Sequence, residues 1–117
     1  MNLNEFENMK GVVAIGEFDE LGTLRSFHSR TLTGQQADST SRLSGSLVSL
    51  LETITSLYTN YCGVNIAPFQ SVTIQGLEYS LILQCGSKAC IGVIVKDIEV
   101  NLDSIKKRLD GLCNYGK

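Results

Sequence analysis

The sequence predicts an α/β fold in which helices cover both faces of a five-stranded, mostly antiparallel sheet. Three observations predict it. A long amphipathic segment occupies residues 33–62, two runs of β-forming residues precede it, and three such runs follow it. Shorter helical patterns lie at residues 2–9 and from Asn101 onward. We expect these two helices on the sheet face opposite the long helix. We therefore expect a single domain over residues 1–117.

The central segment predicts a helix with two adjoining apolar rows, since its apolar residues recur at steps of three and four. Thr33 and Gln36 form a capping box before it, and Gly63 is a left-handed cap candidate after it. Two rows imply that about half of the helix circumference is buried. The first row is Leu43, Leu47, Leu50, Ile54, Leu57 and Tyr61, and the second includes Val48, Leu51, Tyr58 and Cys62.

The remaining helix face is small and almost uncharged. Between Leu43 and Tyr61 the single charged residue is Glu52, whereas solvated helix faces usually carry Lys and Glu pairs. This face is either a polar solvent face or a surface against which another packs closely. The second interpretation predicts a two-fold dimer interface. Its helix residues are Ser41, Gly45, Ser49, Glu52 and Ser56.

Five strands are predicted around the long helix. Residues 11–18 and 89–95 are apolar on both sides, which is typical of central strands, and we expect them to be neighbours. The more polar residues 23–28 predict an edge strand, joined to the first strand by a turn with Asp19 and Gly22. Residues 69–75 and 79–85 complete the sheet.

The strand at residues 69–75 carries a second interface prediction. It follows Pro68 and is rich in β-forming residues, so an open edge there would invite aggregation. We expect it to pair with its own copy in a second chain through Val72, Thr73 and Ile74.

The cysteine pattern predicts free thiols and no metal site. Cys62, Cys85, Cys90 and Cys113 form no C-x-x-C pair, and His28 is the only histidine. A four-residue loop at residues 86–89 would place Cys85 opposite Cys90. A two-residue loop would place Cys85 opposite Lys88, and the greater frequency of two-residue hairpin loops favours this register.

Composition and motifs exclude several functions. A net charge of −2 without a large basic cluster argues against nucleic acid as a partner. No apolar run reaches the roughly 20 residues of a membrane span, and the N-terminus lacks a signal-peptide pattern, so a cytoplasmic protein is expected. His28 has no sequence context of a catalytic triad, and the glycines at 11 and 16 lack the Lys-Ser/Thr pair of a phosphate loop. We expect no catalytic residue, no cofactor and no enzyme activity.

The opening hairpin carries a family resemblance. Residues 9–22, MKGVVAIGEFDELG, resemble the first hairpin of roadblock/dynein light-chain domains, and the helix start at Asn101-Leu102 is also similar. The chain looks closest to a small prokaryotic branch without assigned function. The resemblance implies a longin- and profilin-related fold. It further implies dimers in which long helices pack antiparallel and two sheets join into one of ten strands. Members regulate or scaffold small Ras-like GTPases, and some are light chains of motor complexes.

Two functions are predicted. The first is a non-enzymatic homodimeric interaction module that scaffolds or regulates a small Ras-like GTPase or a similar complex, and the resemblance alone implies the GTPase. The alternative is a small-molecule or redox sensor that uses a pocket between sheet and helix, or the Cys85 and Cys90 thiols.

Overall fold

The computed structural model describes residues 3, 6, 9–86, 89–96 and 102–114. All five strands and the long helix form within two residues of their predicted bounds. The expected helix at residues 2–9 lies largely outside the described residues, as does the Asn101 cap. The elements are β1 (Val12–Phe18), β2 (Leu24–Ser29), α1 (Gly34–Cys62), β3 (Ser71–Gln75), β4 (Ser80–Cys85), β5 (Cys90–Val95) and α2 (Leu102–Asn114).

The sheet has the order β2-β1-β5-β4-β3, and every neighbouring pair is antiparallel. β1 and β5 are neighbours and β2 is an edge strand, as predicted. β5 lies at the centre, where Val93 and Val95 are fully buried. β3 forms the second edge.

Each face of the sheet has its own hydrophobic core. On one face, Ile105 and Leu109 of α2 pack with Ile82, Val93 and other residues that include Leu3 and Phe6. On the other face, Val48 of α1 packs with a cluster that we call the helix-side core: Phe18, Phe69, Leu83 and Cys90. Alternation along the strands separates the cores, because Ile82 and Leu83 point to opposite faces.

Local hydrogen bonds and glycine conformations form the β1–β2 turn and both ends of α1 as predicted. The Asp19 carboxylate accepts hydrogen bonds from the backbone N–H groups of Leu21 and Thr23, both at 2.9 Å, and Gly22 has a φ of 83°. The Thr33 hydroxyl and the Gln36 side chain form a reciprocal capping box at the start of α1. Gly63 ends α1 in the left-handed conformation, with a φ of 69°.

The last helix does not end at Gly111. α2 continues to Asn114, because Gly111 does not adopt the positive φ that would make it a cap. The buried side chains of Ile105 and Leu109 anchor the helix to the sheet, and Gln84 donates a hydrogen bond to Asp110 at 2.6 Å. Tertiary contact therefore outweighs the weak helix propensity of glycine.

α1 approaches the β1–β2 turn closely enough to require glycine on both sides. A Cβ atom on Gly45 would lie 2.6 Å from the Cα atom of Gly22 and 2.8 Å from its nitrogen. One turn earlier in the helix, the Ser41 hydroxyl donates a 2.9 Å hydrogen bond to the Gly22 carbonyl. Small residues on this side of α1 therefore serve contact within the chain.

Gly45→Ala should lower the free energy of unfolding by about 1–3 kcal/mol, because the new methyl group must push the helix away from the turn backbone. Gly34→Ala is the matched control. It lies in the same helix, and nothing lies within 4 Å of its added Cβ, so its stability should be unchanged or slightly higher. Urea unfolding of both variants measures the difference. Equal midpoints for Gly45→Ala and the wild type would show that the contact is looser than described.

Candidate interaction surface

One side of α1 carries a row of large apolar side chains in solvent. Its members recur at helical spacing, and we call them the apolar stripe: Leu43 (73% exposed), Leu50 (56%), Ile54 (36%), Leu57 (48%) and Tyr61 (84%). Single exposed apolar side chains are ordinary on protein surfaces, but five along one side of a helix form an extended apolar patch. Such a patch is typical of a surface that contacts another molecule.

The prediction that this first apolar row is buried within the domain is wrong. Within the row, Leu47 is half-buried against the helix-side core. The side chains that meet the sheet are mostly small: Ala37, Ser41, Ser44, Gly45 and Val48. Because the β1–β2 turn admits only small residues, the leucine row is rotated away from the sheet, by roughly a third of the helix circumference at 100° per residue.

The predicted helix interface divides into two parts. Ser41 and Gly45 are buried within the chain against the β1–β2 turn, which leaves little of either residue for contact with a second chain. Ser49, Glu52 and Ser56 are exposed. Their contact with a second chain remains a prediction.

The C-terminal half of α1 has little cover from its own sheet. From Glu52 to Cys62, every residue is exposed except Thr55 and Thr59, which are half-buried. The Thr59 hydroxyl accepts hydrogen bonds from the backbone N–H groups of Ile66 at 3.1 Å and Ala67 at 3.2 Å. The connector to β3 therefore folds back along the helix and leaves the apolar stripe uncovered.

The outer edge of β3 presents unpaired backbone groups. Cys85 donates a 2.8 Å backbone hydrogen bond to Gln70, and the register places Val72 opposite Leu83. Hydrogen-bonded and non-hydrogen-bonded pairs alternate in an antiparallel ladder, so the N–H and C=O groups of Thr73 point away from β4. The residues on either side, Val72 and Ile74, bond inward by the same alternation.

The apolar stripe and the β3 edge lie on the same side of the sheet. Val72 packs with Leu47 and Leu51 of α1 against the helix-side core. Ile74, opposite Leu81, points to this face and is 44% exposed. We call the apolar stripe together with the β3 edge the composite surface.

The favoured β4–β5 register and the expectation of four free thiols are both wrong. Cys85 lies directly opposite Cys90 in a four-residue connection, and the two form a disulfide. The described register also places Gly92 opposite Leu83, where a Cβ on Gly92 would lie 3.1 Å from the leucine side chain. The fit of Leu83 over glycine outweighs the general preference for two-residue loops.

The disulfide links two strands that backbone hydrogen bonds already pair. Gly86 donates a backbone hydrogen bond to Ala89 at 3.0 Å, and the ladder continues along both strands. A bridge that closes so short a loop contributes only about 2 kcal/mol in the chain-entropy account, less than a bridge across a long loop. Of the described residues, Cys62 is a free, exposed cysteine.

Two of the cavities lie where the sequence suggested a small-molecule or redox site, between the sheet and the long helix and beside Cys85 and Cys90. The apolar cavity between α1 and the sheet, bordered by Phe18, Phe27 and Ala37, holds about 40 Å³, far below the roughly 300 Å³ of small ligand sites. A cleft of about 520 Å³ opens beside the disulfide. Its lining includes Asp19, Glu20, Arg25, Glu52, Cys85 and Cys90, and we call it the disulfide cleft.

Within the described part of the chain, no three His, Cys, Asp or Glu side chains come together as a metal site. The described helices also include none with the length and apolarity to cross a membrane.

The sequence profile of one protein family matches residues 2–111, and the family is described as uncharacterized conserved protein DUF2173. The chain belongs to this family. No curated protein sequence matches this DUF2173 member.

Solved structures resemble this DUF2173 chain in fold. The roadblock/LC7 domain from Streptomyces avermitilis matches with a TM-score of 0.78 at 17% identity, over 93% of this chain and 85% of that domain. The gliding protein MglB from Thermus thermophilus matches with a TM-score of 0.71 at 17% identity, over 89% and 74% of the two chains. Myxococcus xanthus MglB matches with a TM-score of 0.68 at 22% identity, over 89% and 82%. The roadblock fold implied by the opening hairpin is thereby confirmed.

Alkylation of the unfolded, unreduced protein should label Cys62 and leave Cys85 and Cys90 unlabelled, because these two are linked. Peptide mapping by mass spectrometry should recover the linked pair as one species. Full labelling of both residues would contradict the described bridge.

Proposed function

We propose that the protein is a non-enzymatic homodimeric module that scaffolds or regulates a small Ras-like GTPase in the cytoplasm. The observation that carries the proposal is the composite surface, which joins an uncovered apolar helix face to an open strand edge. The roadblock fold supports a small GTPase as the bound partner, which we call the guest, since roadblock domains commonly regulate or scaffold small GTPases.

The spacing of the apolar row supports a second copy of this chain as the occupant. Its steps are four, three, four, three and four, so the row reads the same in both directions. When two such helices pack antiparallel about a two-fold axis, Leu50 meets Ile54 of the other copy, Leu47 meets Leu57, and Leu43 meets Tyr61. A surface that is its own complement is what a two-fold interface requires.

The β3 edge also supports a second copy of this chain as the partner. Antiparallel pairing about a two-fold axis near Thr73 would pair its outward N–H and C=O groups with those of the other copy. The open edge would then be covered, and two five-stranded sheets would become one of ten strands. Backbone pairing near Val72, Thr73 and Ile74 thus stays in the proposal, as does contact through the exposed Ser49, Glu52 and Ser56.

Regulation without catalysis fits the polar groups of the described residues. Arg25 lies 3.9 Å from Glu17, and Arg42 lies 3.3 Å from Asp38, so both guanidinium groups already have carboxylate partners. The hydroxyl groups of Ser41, Ser46 and Thr53 donate hydrogen bonds to backbone carbonyl groups and not to a general base. An effect on a GTPase would therefore arise by positioning the guest's own residues.

Leu50→Lys should raise the dimer dissociation constant by about 100-fold or more, because it places a charge against apolar side chains at the helix interface. The residue is exposed within one chain, so the fold should persist. Light scattering across a concentration series at tens of micromolar measures the change.

Ser49→Lys is the matched control. It adds the same charge at the neighbouring position on the face that the sequence predicted as an interface. We expect it to weaken dimerisation far less than Leu50→Lys. Dissociation by Ser49→Lys alone would favour the small-residue face and contradict the apolar stripe.

Amide exchange at Thr73 tests the strand edge. Its N–H points outward, so it should exchange slowly in the dimer and rapidly in the Leu50→Lys variant. Val72 bonds inward to β4 and should stay protected in both proteins. Rapid exchange of Thr73 in the intact dimer would place the interface elsewhere.

The guest is tested with small GTPases from the same organism. Wild-type protein immobilised on a resin should retain one of them in a manner that depends on the bound nucleotide, and should change its rate of nucleotide hydrolysis. Leu50→Lys should lose both effects, whereas Gly34→Ala should keep them. Failure of every small GTPase to bind would remove the guest from the proposal while leaving the dimer intact.

A further inference from the structure

The disulfide cleft joins a reducible bond to a cavity of ligand size. Cys85 and Cys90 both line the cleft and both pack against the helix-side core. Cys85 is half-buried, whereas Cys90 is only 6% exposed. The volume of the disulfide cleft, about 520 Å³, lies within the range of small-molecule sites. The backbone ladder pairs β4 and β5 independently of the bridge, so its reduction need not unfold the sheet.

We propose that Cys85–Cys90 is an exchange-active disulfide, and that the disulfide cleft admits a low-molecular-weight thiol without negative charge as its reductant. The cleft does not use the apolar stripe or a GTPase, but its lining includes Ser49 and Glu52. The inference therefore requires that these two residues stay open to solvent in the proposed dimer.

The greater exposure of residue Cys85 favours attack at its sulfur first. A thiolate in the cleft attacks the Cys85 sulfur, forms a mixed disulfide with it, and displaces Cys90 as a thiolate that takes a proton from water. A second thiolate then attacks the small-molecule sulfur of the mixed disulfide and releases Cys85. In balance, two thiols are oxidised to one external disulfide, and the protein disulfide is reduced to two thiols. The external disulfide supplies the oxidant for the reverse reaction.

Charge on the described lining residues sets the preferred reductant. Asp19, Glu20 and Glu52 contribute three carboxylates, and Arg25 is shared with Glu17. A thiol that carries an additional negative charge is repelled by these groups, and salt weakens the repulsion.

The first experiment asks which sulfur is attacked. The folded protein is treated briefly with 2-mercaptoethanol, quenched with acid, alkylated, and mapped by mass spectrometry. The mixed disulfide should be found on Cys85, with Cys90 alkylated only after unfolding. Adducts mainly on Cys90, or reduction no faster than global unfolding, would overturn the proposal.

The second experiment compares two thiols of similar size and acidity that differ in charge. 2-Mercaptoethanol should reduce the bridge at least about threefold faster than 2-mercaptoethanesulfonate at low salt, with the ratio falling in concentrated salt. Glu52→Gln should also lower the ratio. Glu78→Gln is the matched control, because it removes an exposed carboxylate at the far end of β4 and should leave the ratio unchanged. Equal rates for the two thiols would overturn the assignment of the cleft. Reduction by a protein dithiol alone would overturn the assignment of a small thiol.

Discussion

The contact between Gly45 of α1 and Gly22 of the β1–β2 turn determines which side of the long helix faces the sheet. The two backbones are so close that a single methyl group on Gly45 would collide with the turn. Ser41 reinforces the contact with a hydrogen bond to the Gly22 carbonyl. Large side chains cannot occupy positions 41 and 45, where the helix meets the turn, so most of the leucine row is turned toward solvent.

This rotation gives the two flanks of the helix different properties. One flank carries the apolar stripe and continues to the open β3 edge through Val72 and the helix-side core. The other flank, with Ser49 and Glu52, borders the disulfide cleft. The hydrophobic effect favours covering the first flank, whereas the second combines carboxylates with a reducible bond. The proposed association surface and the proposed thiol-exchange site therefore lie on different flanks of the same helix.

Local sequence signals were sufficient to predict much of the fold. The Thr33 capping box, the Gly63 cap and the Asp19 turn each act through bonds within a few residues, and all three form as predicted. The apolar character of β1 and β5 was also sufficient to place them as neighbours at the centre.

The rotation of the helix and the β4–β5 register depend on distant contacts and could not be predicted in this way. Two leucine rows and a small-residue face fit either orientation until the position of Gly22 is known. Likewise, the fit of Leu83 over Gly92 outweighs the preference for a shorter loop. The palindromic spacing of the leucine row is visible in the sequence, but it becomes informative only once the row is known to be exposed.

The most direct test of this account is a mixing experiment with two oppositely charged chains, Leu50→Lys and Ile54→Glu. The antiparallel arrangement brings position 50 of one chain to position 54 of the other, so each variant alone should be monomeric. Mixed together, they should form a heterodimer that native mass spectrometry detects, whereas Leu50→Lys mixed with Leu43→Glu should not. Heterodimers in both mixtures, or in neither, would contradict the proposed pairing of the long helices.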